Sequence, residues 1–121
     1  MLSGAAAAIR RLNEAGMPVV VVTNQSGVGR GYFPESLVLE VHERLISDLA
    51  REGARVDGVY YCPHVSRDGC ACRKPKTGML EQAAGDLRLV LDRSFVVGDR
   101  AGDVELAHRA GCHSAVEFHR R

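Results

Sequence analysis

The run MPVVVVT at residues 17–23 decides the fold class, because four consecutive valines stand between a proline and a threonine. β-branched side chains favour extended backbone, and a run without polar alternation is typical of a strand buried on both faces of a parallel sheet. The preceding residues 3–15 have a helical pattern, with Ser3 as a candidate N-cap and Gly16 where a left-handed residue ends a helix. A helix therefore leads directly into a buried strand.

The same alternation of helices and strands continues along the chain. The predicted elements are helices from Pro34 to about Gly53, at 78–87 behind a Thr77 cap and at 103–110 before Gly111, and strands at 56–61, 94–99 and 113–118. This order predicts an α/β fold, with a Rossmann-like, mostly parallel sheet and flanking helices. We expect residues 1–121 to form a single domain.

The first two helices have apolar faces. In both, apolar side chains recur every three or four residues, the spacing that brings them to one side of a helix. The residues predicted to face the core are Ala5, Ile9, Leu12 and Ala15 or Gly16 in the first helix, and Leu37, Val38, Val41, Leu45 and Leu49 in the second.

Composition excludes several classes of function. The chain has a formal net charge of +1, so it has no general electrostatic attraction to nucleic acid or to an anionic membrane. The absence of Trp argues against a surface that stacks on bases, and no apolar run approaches the roughly 20 residues that span a membrane. Clustered cysteines in a metal-type spacing suit a reducing compartment, so we expect a cytoplasmic protein.

Candidate metal ligands and basic residues are concentrated in YYCPHVSRDGCACRKP at residues 60–75. On extended backbone, residues i and i+2 point to the same side, and the turn-forming Asp68-Gly69 would let a second such pair fold back on the first. The two pairs are Cys62 with His64 and Cys70 with Cys72. A Cys3His set suits tetrahedral zinc with no position left for water, so residues 62–75 are predicted to be an inserted structural zinc loop. The alternatives are two disulfides or unconnected thiols.

Groups that could bind phosphate follow the first predicted strand. Thr23 and Asn24 offer a hydroxyl, an amide and backbone N–H groups, although an ordinary strand-to-loop cap would use the same groups. The Gly-rich loop at 27–31 lacks the spacing of a dinucleotide site and is either a flexible substrate loop or a turn. Because ligands of such folds bind beyond the carboxyl ends of the strands, Thr23, Cys62 and Asp99 are expected at one sheet edge.

Two charged pairs complete the candidate site. Arg73 and Lys74 directly follow the last metal ligand, which would fix their backbone, and their charges suit contact with a phosphate and with a transferring phosphoryl group. Asp99 and Asp103 lie across a strand end and a helix start, where carboxylates suit Mg²⁺. The plainer interpretations are a solvated basic pair and, for Asp103, a charge that interacts with the helix dipole.

The remaining histidines and the fourth cysteine have no spacing that makes a site. For the histidines we expect roles on helix surfaces or in packing, and for the cysteine a small buried side chain. These residues are His42, His108, His113, His119 and Cys112.

Three motifs in this order resemble the haloacid dehalogenase (HAD) superfamily of phosphatases: VVVVTNQSG at 19–27, CPH followed by CACRKP within 62–75, and VGDRAGD at 97–103. The zinc loop is similar to that of the D-glycero-D-manno-heptose-1,7-bisphosphate 7-phosphatase family, with the histidinol-phosphate phosphatases as near relatives. The resemblance covers about residues 4–115 and implies Mg²⁺-dependent hydrolysis of a small sugar phosphate through an aspartyl-phosphate.

The resemblance also implies roles for single residues. In it, Lys74 stabilises the charge of the phosphoryl group, and the zinc loop shapes the substrate-facing side without taking part in the chemistry. The positions that match are Thr23, Asn24, Arg73 and Lys74 for substrate phosphate, Asp99 and Asp103 for magnesium, and Cys62, His64, Cys70 and Cys72 for zinc.

One family motif has no match. Its nucleophile and general acid/base stand in a D-x-D after the family's central first strand, and these 121 residues contain no D-x-D. We therefore expect the first strand to be absent from this chain, the domain to be N-terminally incomplete and the chain to be inactive by itself. We expect that strand to be encoded upstream of Met1. The alternatives are a partner chain that supplies it and a homologue that binds phosphosugars without turnover.

Overall fold

The computed structural model describes residues 3–98 and 100–116 and has the predicted alternation of elements. The helices are α1 (Ser3–Glu14), α2 (Ser26–Gly29), α3 (Glu35–Arg51), α4 (Gly78–Leu87) and α5 (Ala101–Ala110), and the strands are β1 (Val20–Asn24), β2 (Gly58–Cys62), β3 (Phe95–Gly98) and β4 (His113–Val116). Short 3₁₀ turns lie at Ser66–Asp68 and Leu91–Arg93.

The described strands form two parallel pairs, β1 with β2 and β3 with β4. The chain divides into two compact units, Met1–Pro63 and His64–Arg121, and each unit contains one of the pairs. Parallel strands with flanking helices confirm the predicted α/β class. The single domain over residues 1–121 stays a prediction.

The core of the first unit lies between α1 and α3. Ala6, Leu49 and Ala54 are buried there, and Ile9, Leu45 and Val56 pack against them. The Asn13 side chain fastens α1 to the segment before β2, because its amide donates to the Arg55 carbonyl (2.9 Å) and its oxygen accepts from the Arg55 N–H (2.7 Å).

The predicted core faces of α1 and α3 need correction. Leu37 and Val41 are 42% and 56% exposed, whereas Val38, His42 and Leu49 are buried. Each residue of a helix turns by about 100°, so the stripe through 38, 42, 45 and 49 leaves 37 and 41 on its flank. In α1 the stripe runs through Ala6 and Ile9, and the residues wrongly placed inward are Leu12, Ala15 and Gly16.

Strand β1 and the loop behind it also differ from expectation. All of β1 is half-buried rather than buried on both faces, because among the described strands only β2 pairs with it. The predicted Gly-rich loop contains one helical turn, α2, closed by the Arg30 N–H on the Ser26 carbonyl (2.9 Å). A Cβ at Gly27 would overlap the Phe33 ring, so a larger residue in this turn would require the ring to move.

In the second unit, most buried residues come from α4 and α5: Met79, Leu80 and Ala83, and Leu106 and Ala107; Val65 of the metal loop is also buried. Gly111 ends α5 with a φ of 75°, as its position predicted. The Thr77 side chain makes no capping hydrogen bond, because its φ and ψ of −92° and 3° lie outside the extended region of N-cap residues. The predicted Ser3 cap stays a prediction, because the Ser3 side chain lies outside what the structure describes.

Strand β3 of the second unit is apolar, yet part of it is open to solvent. Phe95 and Val97 of β3 are 61% and 70% exposed, and the Phe95 ring stacks on His113 at 5.0 Å. Cys112 is half-buried rather than buried, and this burial raises the pKa of its thiol. Residues 99 and 117–118 of the two predicted strands lie outside the described residues. No described helix is both long enough and apolar enough to cross a membrane.

Candidate metal centre and phosphate site

The four predicted zinc ligands lie together in one continuous stretch of chain. Their ligand atoms are all within 4.8 Å of one another, and His64 Nδ1 is 3.3 Å from Cys72 Sγ. In a tetrahedral zinc site with bonds of about 2.3 Å, two sulfur ligands are about 3.8 Å apart, so the donor set fits such an ion. No cysteine, all of which are described, forms a disulfide. The group of four is Cys62, His64, Cys70 and Cys72.

The predicted turn brings the second pair of ligands back to the first. The Asp68 carboxylate accepts the Val65 N–H (2.9 Å), and Gly69 takes the left-handed conformation with a φ of 64°. Both residues act as their types suggest, because Asp closes local turns through its carboxylate and Gly adopts positive φ without strain. The sequence therefore encodes the loop's fold-back as well as its ligands.

Thr23 and Asn24 lie at the carboxyl end of β1, and the β1–β2 register pairs Asn24 with Cys62. The next backbone N–H, that of Gln25, donates to the Cys62 carbonyl (2.7 Å). The Thr23 hydroxyl is 3.4 Å from the Asn24 carbonyl and 3.5 Å from Gln25 Nε2. The candidate phosphate donors of the first unit are therefore adjacent to the first metal ligand, with Thr23 also in the local contacts of a strand-to-loop cap.

The second unit brings Lys74 and Asp103 together. Lys74 Nζ lies 3.1 Å from Asp103 Oδ1, and the two side chains are only 23% and 15% exposed. Asp103 is in the first turn of α5, and a Cβ at Gly98 would overlap its carboxylate. Glycine at the end of β3 therefore makes room for the acid. The pair joins a cation suited to a phosphoryl oxygen with a carboxylate suited to a metal.

The Arg73 guanidinium contacts a different partner from the ammonium group of Lys74. Its Nη1 donates to the His64 carbonyl at 3.3 Å, so the guanidinium contacts the metal loop. The Lys74–Pro75 peptide bond that follows is cis. Asp99, the first of the two predicted magnesium ligands, lies outside the described residues. The roles assigned to Arg73 and Asp99 in binding phosphate and magnesium stay predictions.

One polar cluster was not predicted from the sequence. The Tyr61 hydroxyl donates to Glu35 Oε1 (2.8 Å), and this hydrogen bond is the main reason why the pKa of Tyr61 is raised. The buried His42 ring meets the Tyr61 ring edge-on at 5.5 Å, and burial lowers the pKa of His42. The sequence held one indication that His42 is buried. His42 follows Val38 by four residues, a spacing that places both on the same face of α3.

Comparison with known proteins identifies the family of this chain. A family model described as HAD-hydrolase-like matches residues 71–116. A probable D-glycero-D-manno-heptose-1,7-bisphosphate 7-phosphatase of Thermoplasma volcanium is 41% identical over 102 residues, which are 84% of this chain and 70% of the relative. The chain belongs to this HAD-like phosphatase family. The resemblance drawn from the three sequence motifs is therefore confirmed.

Other members of the family are equally similar. The D-glycero-β-D-manno-heptose-1,7-bisphosphate 7-phosphatase of Pseudomonas putida is 43% identical over 110 residues, 91% of this chain and 63% of that protein. The crystal structure of the D,D-heptose 1,7-bisphosphate phosphatase of B. bronchiseptica, complexed with magnesium and phosphate, has a TM-score of 0.88 at 40% identity, over 95% of this chain and 64% of that one. The chain spans about three fifths of the length of the first curated relatives it matches (63%, 65% and 59%).

Proposed function

We propose that this chain belongs to a Mg²⁺-dependent sugar-phosphate phosphatase that removes a phosphate from a heptose bisphosphate. The half-buried Lys74–Asp103 pair carries the proposal, because it joins a phosphoryl-binding cation to a metal-binding carboxylate beside the end of β3. The names of the relatives and the magnesium and phosphate of the B. bronchiseptica structure support the reaction class.

In this proposal the residues of the chain bind and orient the phosphate. Thr23 and Asn24 donate hydrogen bonds to its oxygens, and Lys74 stabilises the negative charge that develops during transfer. Asp103, with Asp99, would hold Mg²⁺, which supplies Lewis-acid polarisation of a phosphoryl oxygen when bound. We assign the nucleophile to none of these residues, because no D-x-D occurs in the 121-residue sequence.

We propose zinc as the metal of the Cys3His group. Three thiolates and an imidazole are soft and borderline donors that suit Zn²⁺, and four protein ligands leave no coordination position for a reacting water. The ion would therefore be structural. It would hold the loop from which Arg73 and Lys74 emerge, and three thiolates also suit a reducing compartment such as the cytoplasm.

A second function is also consistent with the sequence. Because the residues lack D-x-D, the chain could bind a phosphosugar, of the heptose or histidinol-phosphate type, without turnover. Binding and hydrolysis must therefore be measured separately.

Calorimetric titration tests the proposal. The zinc-loaded chain, with Mg²⁺ present, should bind heptose 1,7-bisphosphate and not the unphosphorylated heptose. Lys74→Gln should weaken binding by at least about tenfold, since it removes a charged hydrogen bond to phosphate. Arg93→Gln is the matched control, because it removes the same charge from an exposed residue of the same unit. Equal binding of both sugars, or unchanged binding by Lys74→Gln, would contradict the proposal.

Phosphate release in the same samples measures turnover by the chain itself. Because these residues contain no D-x-D, release is expected to stay at background while binding is retained. Mg²⁺-dependent release that is lost in Lys74→Gln would show that another group of the chain serves as the nucleophile.

A further inference from the structure

The start of α4 is built onto the second pair of metal ligands. The Gly78 N–H donates to the Ala71 carbonyl at 3.0 Å, and Ala71 separates Cys70 from Cys72. A Cβ at Gly78 would overlap that carbonyl group and lie 3.0 Å from Cys72 Cα. The atoms in the way are backbone atoms, so they cannot turn aside as a flexible side chain would. Position 78 therefore requires glycine for a close approach of two backbones.

A second donor reaches the same arm of the loop. Lys76 Nζ donates to the Cys70 carbonyl at 2.8 Å, and the Lys76 N–H closes a turn on the Arg73 carbonyl at 2.9 Å. Two consecutive carbonyls, those of Cys70 and Ala71, are therefore each bound by a donor from residues 76–78. Together these carbonyls set the peptide planes on both sides of Ala71.

The peptide planes matter because they direct the two thiols. The direction in which each Cα–Cβ bond leaves the backbone follows from the backbone dihedrals, so fixing the planes aims Cys70 and Cys72 at one point. The support is rigid, since Met79 and Leu80 in the first turn of α4 are 2% and 6% exposed. None of these contacts uses a metal ion.

We propose that Lys76 and Gly78 are positioning residues of the metal centre, which hold the Cys70–Cys72 arm on α4 and preform it before a metal binds. The inference rests on the proposed metal site and is independent of phosphate hydrolysis. It predicts that changes at residues 76 and 78, which coordinate nothing, lower the affinity for zinc.

Competition with a chromophoric chelator measures that affinity. Gly78→Ala should raise the zinc dissociation constant by about 10- to 100-fold, the usual effect of losing a residue that orients a ligand. Lys76→Gln should raise it by about tenfold, and Lys76→Arg should recover most of this loss, because it keeps a charged donor. Gly85→Ala is the matched control: it lies in the same helix with nothing within 4 Å of an added Cβ, so its affinity should stay within about twofold of wild type.

Melting temperatures with and without zinc separate positioning from general stability. A glycine that only supports the fold would lower both melting temperatures equally when replaced. A positioning glycine reduces the gain on adding zinc, because that gain depends on the affinity of the folded state. Wild-type affinity in both Gly78→Ala and Lys76→Gln, or an unchanged gain on adding zinc, would overturn the proposal. If Gly78→Ala does not fold, the surface change Lys76→Gln decides alone.

Cys70→Ser tests the underlying metal site separately. It should lose high-affinity zinc binding whether or not residues 76 and 78 position the arm. Zinc binding by Cys70→Ser equal to that of wild type would contradict the assignment of the metal centre. The proposal about residues 76 and 78 would then be contradicted as well.

Discussion

His42 shows at the scale of one residue how position on a helix changes chemistry. It is 9% exposed on the inner stripe of α3, against the edge of the Tyr61 ring. Burial disfavours the charged form of the imidazole, because it removes water that would solvate the charge. The pKa of His42 therefore lies below the ordinary value of about 6.5. The protonated side chain is therefore better accommodated by the unfolded chain than by the folded one.

This difference predicts a pH-dependent stability. The contribution of His42 is present in full above the unfolded pKa of about 6.5 and is lost as pH falls through the lowered pKa of the folded state. In His42→Phe, the decrease in the free energy of unfolding between about pH 7.5 and pH 5.5 should be smaller than in wild type. Urea titrations at a series of pH values measure it.

The control for this experiment is His108→Phe, which changes an exposed histidine of α5. Any effect of pH on metal binding is common to all three proteins and cancels in the comparison. If His42→Phe and wild type lose stability equally on acidification, burial of His42 is not the cause.

At the scale of single residues, the sequence predicted what depends on local spacing. The i, i+2 pairs of metal ligands and the Asp68-Gly69 turn are such features, and the structure has both. It did not predict that Lys76 would reach the Cys70 carbonyl or that Gly78 would meet Ala71, because those contacts depend on how α4 packs on the loop. The sequence held one indication of this close approach. Gly78 lies in the first turn of a helix, where positive φ is not needed, so its presence there needs another reason.

Helix α3 shows the same limit at the scale of an element. Its extent was predicted to within two residues at each end, because Pro34 and Gly53 frame a long helical pattern. Its buried face was predicted only in part, since the apolar positions 37, 38, 41, 45 and 49 spread over more than one stripe. Packing against α1 selects the stripe that contains Leu49, and sequence periodicity alone does not decide between neighbouring stripes.

Two leucines of α3 test this assignment. Leu49 is 1% exposed and Leu37 is 42% exposed. Leu49→Ala should lower the free energy of unfolding by about 2–5 kcal/mol, because it leaves a cavity in the first unit's core. Leu37→Ala, the same chemical change on the same helix, should stay within about 0.5 kcal/mol of wild type. Similar losses for both variants in denaturant titrations would show that α3 packs through a different face.

For the whole molecule, the metal centre is expected to support stability. Structural zinc contributes on the order of 10 kcal/mol of apparent binding energy in small zinc-dependent peptides. We predict that Cys70→Ser, or a chelator added to wild type, makes residues 62–75 susceptible to limited proteolysis. Cys112→Ser is the matched control, because Cys112 is not part of the metal group. Unchanged cleavage of this segment in Cys70→Ser would refute the structural role.

Turnover is the other property of the whole molecule that can be predicted. The purified 121-residue chain is expected to release no phosphate from heptose 1,7-bisphosphate above background, because its sequence has no D-x-D to form an aspartyl-phosphate. A colorimetric phosphate assay with Mg²⁺ checks this. Mg²⁺-dependent release that disappears in Asp99→Asn would show that the prediction is wrong and that another carboxylate serves as the nucleophile.

The fold class and family were accessible from sequence, while the two parallel pairs of strands were not. Class follows from the order of strands and helices, and family from three motifs that carry side-chain chemistry. Which strands pair depends on backbone hydrogen bonds between distant segments, and short strand sequences of similar length can satisfy several pairings. The exposure of Phe95 and Val97 was not predicted either. An apolar strand pattern does not show which face of the strand is covered by other elements.

The contact between Gly98 and Asp103 restricts how this protein can evolve. A Cβ at residue 98 and a carboxylate at residue 103 would occupy the same space. A side chain at 98 would displace the Asp103 carboxylate from its position beside Lys74, so glycine is expected at 98 wherever an acid at 103 keeps this contact. The two positions are therefore expected to vary together across natural sequences.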